Sequence, residues 1–298
     1  MKYAYYPGCS LESTAWDYDR STRAVCSALG IQLEEIRGWT CCGSTPAHIS
    51  NASLAVALPV LNLQKAAEMG LPILTACASC YSRLRTANHK VRENREERKR
   101  AERITGKPYN GGTDVLHILD VLANHLEAGK VRQSVVTPLS DCRVASYYGC
   151  LLSRPPEIVA FESPDHPTSM DRLLESAGAT PVDWPYKTEC CGAGLSMSQP
   201  EVVERLTARL ISMARAAGAD CLALACPMCH VNLDLRQRDM IERHNEVEET
   251  PILYLTQLLG LALGLSEEEL GLKALSVSAA PLLQKLGSTL AAIEEARP

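Results

Sequence analysis

Thr40-Cys41-Cys42-Gly43, followed by Cys77-Ala78-Ser79-Cys80, is the stretch on which the reading of this chain turns, because it occurs twice. Glu189-Cys190-Cys191-Gly192 and Cys226-Pro227-Met228-Cys229 repeat it, and Cys42 to Cys77 and Cys191 to Cys226 both span 35 positions. Each copy has one further cysteine upstream, in Tyr5-Tyr6-Pro7-Gly8-Cys9 and in Tyr147-Tyr148-Gly149-Cys150. Ten of the 13 cysteines therefore fall into two sets of five in the same order, the mark of one cysteine-rich unit built twice.

Outward from the cysteines, each copy reads as alternating strands and helices. Residues 2–6 are expected as a strand delivering Cys9, 14–29 as a helix stopped by Gly30, and 31–35 as a second strand. Cys41-Cys42-Gly43 is then a loop. Asn51 or Ser53 caps a helix running to residue 69, and residues 73–76 form a strand whose end carries Cys77 and Cys80. A helix from about residue 81 continues through the charged run 92–103, where Glu96 and Arg100 form an i,i+4 pair on a solvated face. Residues 115–126 read as an amphipathic helix and 129–137 as the connection between halves.

The second half repeats the plan: a strand at 143–148, a helix at 168–177, a short strand at 181–184, a helix at 201–217 and a strand at 221–225 delivering Cys226 and Cys229. One spacing differs, 32 positions from Cys9 to Cys41 against 40 from Cys150 to Cys190, and residues 155–167 absorb it as a proline-rich, acidic surface loop. The apolar run 251–265 is too short to span a bilayer and reads as a buried helix. A helical tail from residue 266 is expected to pack on the second half. The pattern predicts an α/β fold of two similar Rossmann-like α/β domains related by internal duplication, residues 1–137 and 138–298, with ligands at the carboxyl ends of the strands.

The formal net charge of −5 argues against nucleic acid as a partner. The first residues, Met1-Lys2-Tyr3-Ala4, lack a charged segment followed by an apolar one, so a cytoplasmic location is expected. In a reducing compartment, metal or redox chemistry outranks structural disulfides. A zinc site takes four thiolates, and five per set is one too many; adjacent cysteines also diverge and suit several metal atoms better than one. A redox dithiol needs only the Cys-x-x-Cys and leaves three cysteines per set without a task. Iron–sulfur clusters account for all ten. Cys26, Cys142 and Cys221 lie outside the repeat and read as small buried residues.

The duplicated Cys-Cys-Gly motif, with its upstream cysteine and later Cys-x-x-Cys, resembles the CCG or cysteine-rich domain family, in particular the B subunit of heterodisulfide reductase. The resemblance covers about residues 1–265. It implies an unusual noncubane [4Fe-4S] cluster in each half, the first held by Cys9, Cys41, Cys42, Cys77 and Cys80, the second by Cys150, Cys190, Cys191, Cys226 and Cys229. It also implies that the two clusters flank a small disulfide substrate. Electrons would come from a ferredoxin-like C subunit linked to a flavin-containing A subunit. The sequence itself carries no flavin or nicotinamide fingerprint. His48 and His230, near the motifs, are candidate proton donors, and Lys187 is a candidate counter-charge for a cluster or an anionic substrate. Alternatives within reach are an electron-transfer component of a lactate, glycolate, glycerol-3-phosphate, fumarate or quinone oxidoreductase, and a non-catalytic zinc scaffold. Ten ligands in two sets predict about eight irons per chain, with matching acid-labile sulfide, if both clusters are [4Fe-4S]. Anaerobic metal and sulfide assays check this, and zinc without sulfide is the contrary result.

Overall fold

Two four-stranded parallel sheets carry the two cysteine sets. The structure, a computed structural model, describes residues 1–44, 46–244 and 248–295. In the first half β1 (Lys2–Tyr5), β2 (Gln32–Glu35), β3 (Ile73–Thr75) and β4 (Val115–His117) pair in the order β2-β1-β3-β4. In the second, β5 (Arg143–Tyr147), β6 (Thr180–Pro181), β7 (Cys221–Leu224) and β8 (Ile252–Tyr254) pair as β6-β5-β7-β8. Every pairing is parallel. The expected duplicated α/β architecture is thus present in both halves. The direction of winding reverses between β1 and β3 and between β5 and β7, where loops leaving neighbouring strands diverge and open a crevice. Cys9 and Cys77 follow the first pair of strands, and Cys150 and Cys226 the second.

Two strands lie where the sequence reads as helix. Residues 115–126 form β4 and then the helical segments Ile118–Asp120 and Val121–His125. Residues 251–265 form β8 and then the helix Leu255–Ala262. Both strands are three residues long and largely buried, so their apolar runs merge with those of the helices they enter, and periodicity cannot separate the two. The charged helix is likewise two helices, Ala78–Glu93 and Arg95–Thr105. Asn94 is extended, and its side chain caps the second helix by accepting from the Glu96 and Glu97 amides. In place of a Glu96–Arg100 pair, Arg100 meets Glu97 at 3.0 Å and Lys99 meets Glu96 at 3.8 Å.

Each half lends the helical segment after its last strand to the other. Leu255–Ala262 packs on Trp16–Ala28, and Val121–His125 packs on Ser169–Ser176. Across the first contact Ser21 Oγ and Thr256 Oγ1 lie 2.8 Å apart, Gln257 Nε2 donates to Asp17 Oδ2 at 3.2 Å, and the Tyr18 and Tyr254 rings stack at 3.8 Å. The insert at 155–167 is only partly a surface loop: its helical turn Pro156–Val159 packs on Ala78–Glu93, where Tyr81 Oη donates to the Val159 carbonyl and Arg85 Nε to that of Ile158. One hydrophobic core runs through both halves.

The tail ends in the helix Ala280–Glu295, tied to the second half by Lys285–Asp220 at 2.7 Å. Its lead-in also reaches the first half, where Glu268 meets Arg20 at 3.7 Å, so it does not pack on the second half alone. The expected domain division at 137/138 falls between β4 and β5, and residues 296–298 lie outside the described residues. No helix among the described residues is long and apolar enough to cross a membrane.

Ser21 and Thr256 are both buried, so removing one hydroxyl strands the other. Ser21→Ala should lower stability by about 1–3 kcal/mol, and Ser21→Ala with Thr256→Val should recover most of the loss. Denaturant midpoints of the single and double variants check this.

Candidate functional site

The carboxyl ends of the two sheets face one another, and the cysteines meet there. In the first half Cys42 Sγ lies 3.4 Å from Cys80 Sγ; in the second Cys191 Sγ lies 3.5 Å from Cys229 Sγ, and Cys150 Sγ lies 3.9 Å from Cys190 Sγ. Cys41 lies beside Cys42, Cys80 beside Cys77, and Cys226 beside Cys229, each close enough to shift its neighbour's thiol. Across the interface Cys77 and Cys226 are neighbours, close enough for each thiol to shift the other. The sulfurs of Cys41, Cys42, Cys80, Cys77, Cys226, Cys229 and Cys191 therefore form one continuous run across the interface. Cys9, Cys41 and Cys190 are exposed, whereas Cys42, Cys77, Cys80, Cys191, Cys226 and Cys229 are buried.

Matched devices shape both sets. Tyr6 Oη donates to the Thr40 carbonyl at 2.7 Å, and Tyr147 Oη donates to the Glu189 carbonyl at 2.8 Å. Each tyrosine stands three positions before its upstream cysteine and grips the residue just before the Cys-Cys pair. Burial, reinforced by the neighbouring thiols, raises both phenols well above their ordinary range, so they stay protonated and remain donors. The Gly43 and Gly192 amides donate to Cys41 Sγ at 3.4 Å and Cys190 Sγ at 3.3 Å. Hydrogen bonds from Cys41 and Cys80 hold the Cys42 thiol well below its ordinary range, and the Arg83 guanidinium adds to the effect. The exposed Cys190 thiol is pulled down to about 6 by its bond with Cys150, helped by the Gly192 amide. Gly8 and Gly149 have φ near +73° and +66°, and a Cβ on them would lie 2.9 Å from Cys80 Sγ and 3.2 Å from Cys229 Sγ. Only glycine combines that backbone with so close a sulfur.

The unrepeated cysteines differ. Burial pushes the Cys26 thiol up to about 12, which leaves it protonated. Cys142 and Cys221 are buried beside each other, outside the repeat.

A cavity of about 250 Å³ opens over the junction. Its second-half wall holds Cys150, Cys190, Cys191, Cys226 and Cys229; its first-half wall holds Ser44, His48, Ser79 and Arg83. His48 thus lies in the cleft. His230 lies behind the sulfurs, its Nε2 3.1 Å from the Ile252 carbonyl and its ring stacked on Tyr254 at 4.4 Å. Lys187 lies outside the cleft, its Nζ 2.5 Å from Asp171 Oδ2. Its main chain nevertheless shapes the site, because its carbonyl accepts from the Tyr148 and Gly149 amides just before Cys150.

Both tyrosines recur at the same offset in the repeat, the one sequence signal that marks them, and Arg83 has no such counterpart. Asn232, which donates to the Cys191 carbonyl at 3.1 Å and approaches its sulfur at 3.7 Å, carried no such signal. His117 was hidden because its strand read as helix.

Among the described residues no three Cys, His, Asp or Glu side chains converge as the ligands of one ion. The thiols run as a chain from loops at three strand ends in each half, which suits a multinuclear centre whose thiolates meet different metal atoms.

Fold and site together define a class: a duplicated parallel α/β protein with a five-cysteine set at the strand ends of each repeat. The family model described as the cysteine-rich domain, CCG, matches residues 3–85 and again 144–234. The chain belongs to this cysteine-rich-domain family. It is 34% identical over 272 residues, 91% of this chain and 95% of the relative, to the 8-methylmenaquinol:fumarate reductase membrane anchor subunit of Wolinella succinogenes. It is 31% identical, over 96% of this chain and 97% of the relative, to the B subunit of the ferredoxin/F(420)H(2)-dependent CoB-CoM heterodisulfide reductase of Methanosarcina acetivorans. A protein of Archaeoglobus profundus, named as similar to the heterodisulfide reductase B subunit, is 30% identical over 90% of this chain and 93% of its own length. Among solved structures, a hypothetical protein from Helicobacter pylori superposes with a TM-score of 0.75 at 13% identity, over 93% of this chain and 52% of that one, a likeness of fold.

Gly8→Ala should disturb the first set alone and Gly149→Ala the second alone. Each variant should lose up to about half of the bound metal of the wild type while the other half keeps its own. Metal content and the spectrum of the purified chains check this.

Proposed function

We propose that the chain is the iron–sulfur subunit of an oxidoreductase complex that reduces, or in reverse forms, a small disulfide at the junction of its two halves. The observation that carries this reading is the run of sulfurs that crosses the interface and borders one cleft. The heterodisulfide reductase relatives support it. The ten repeated cysteines would hold two [4Fe-4S] clusters, of noncubane type by the resemblance, and these supply one-electron transfer when bound. Reduction takes two electrons and two protons per disulfide and yields two thiols. The cleft receives the disulfide between a sulfur-rich wall and a polar wall. Arg83, on the polar wall, stabilises negative charge as the S–S bond opens. His48 is placed on the same wall to give a proton to a departing thiolate. Lys187, held by Asp171, acts by setting the Cys150 loop through its carbonyl, and His230 by packing behind Cys229. Electrons reach the chain from a ferredoxin-like partner and, through it, from a flavin-containing one, in the cytoplasm.

The Wolinella relative favours a second reading. At 34% identity over nearly its whole length it is named as part of a quinol:fumarate reductase. On that reading the same centres relay electrons and the cleft performs no disulfide chemistry.

Steady-state disulfide reduction by an artificial reductant separates the two readings. If the halves act as one unit, Cys42→Ala and Cys191→Ala are each about as inactive as the double variant, because groups that act together are far from additive. Half activity in each single variant means independent sites. Normal activity in one of them assigns the chemistry to the intact set alone, and absence of turnover with any disulfide favours the relay.

A further inference from the structure

His117 ends β4 and is fully buried. Its Nδ1 accepts from the Leu119 amide at 3.2 Å, so the ring proton sits on Nε2. Nε2 lies 3.0 Å from the Ala76 carbonyl oxygen, and the Ala225 carbonyl is near enough to act on the same ring. Ala76 precedes Cys77 and Ala225 precedes Cys226, so one imidazole, bonded to the first loop and beside the second, sits between the two loops whose cysteines are neighbours across the interface. Burial holds the ring's pKa down at about 4, which leaves it neutral and in this tautomer near neutral pH. Tyr81 packs edge-on against it at 5.7 Å, and its hydroxyl is fastened to Val159 of the other half.

The device has no twin. β3 pairs Thr75 with His117, and β7 pairs Leu224 with Tyr254 at the matching place. Tyr254 stacks on Tyr18 and does not take up a carbonyl before a cysteine. A contact that lies between two copies of a repeat needs only one tie, and the first half supplies it.

We infer that His117 is a positioning residue that holds Cys77 against Cys226 and thereby couples the two cysteine sets. The inference rests on the iron–sulfur reading above for its consequence, though not for its geometry. Magnetic exchange and electron transfer weaken steeply with each through-space gap, and neighbouring sulfurs, one from each set, keep that gap short. The electronic coupling of the two centres is then set by a residue that ligates neither.

The test uses the intact chain in two forms. Loaded anaerobically with iron and sulfide and partly reduced, the wild type should show EPR broadening or splitting from interaction between its centres. His117→Leu should keep wild-type iron and sulfide yet lose that interaction. His117→Gln, whose amide N–H can still donate, should restore most of it. Stripped of metal and treated with a mild disulfide oxidant, the wild type should give a Cys77–Cys226 disulfide on peptide mapping, and His117→Leu about fivefold less or lower still, the population shift expected from losing one buried hydrogen bond. Unchanged EPR coupling in His117→Leu overturns the inference, as does an unchanged yield of the 77–226 link. Absence of iron and sulfide from the wild type overturns the underlying reading instead, and the disulfide yield then decides the positioning role by itself. Should His117→Leu fail to fold, His117→Asn takes its place in both arms, its shorter amide reaching neither carbonyl.

Discussion

The meeting of Cys77 with Cys226 across the interface is the contact on which the rest of this molecule depends. A parallel sheet gathers its loops at the carboxyl ends of its strands, and a reversal of winding opens a crevice there. One such sheet would leave its cysteines at an open edge. Two sheets that meet at those edges bury the first cysteine of each Cys-x-x-Cys and make a single run of sulfur from two separate sets. Burying polar, reactive thiols is tolerated because they bond one another and the backbone amides beside them.

Holding two sheets edge to edge takes more than that contact, and the exchange of helices supplies it. Each half covers the other's flank with the helical segment that leaves its own last strand, so neither half completes its apolar packing alone. Buried polar pairs such as Ser21–Thr256 and Gln257–Asp17 give the contact a defined register, since a slipped interface would strand their polar atoms. A rigid interface matters to a site whose parts come from two repeats, because the spacing of the sulfurs is also the spacing of the halves.

The repeat is not a perfect copy, and its departures lie at the site. The cleft has sulfur on one wall and Ser44, His48, Ser79 and Arg83 on the other. A substrate there meets a donor-rich first half and a thiol-rich second half. Likewise His117 has a tyrosine as its counterpart, and the position after the Cys-x-x-Cys is Tyr81 in one half and His230 in the other. The two halves thus place the same pair of ring types at exchanged positions, with His117 bonded to the carbonyl before Cys77 and His230 to that of Ile252.

The sequence by itself determined the duplication, the parallel α/β class, the two sets of five cysteines and their places at strand ends. Those follow from local facts: spacing, short apolar runs, and the turn residues between them. It did not reveal β4 and β8, because a three-residue buried strand has too few positions to show a period of two, and the helix beyond continues its apolar run. Missing those strands hid His117 and the helices that each half lends to the other. Which cysteine of one set would touch which of the other, which of His48, His230 and Lys187 would face the cleft, and which wall would be polar were decided only by tertiary structure. Those relations join residues well over a hundred positions apart, and no local pattern records how two sheets will be docked.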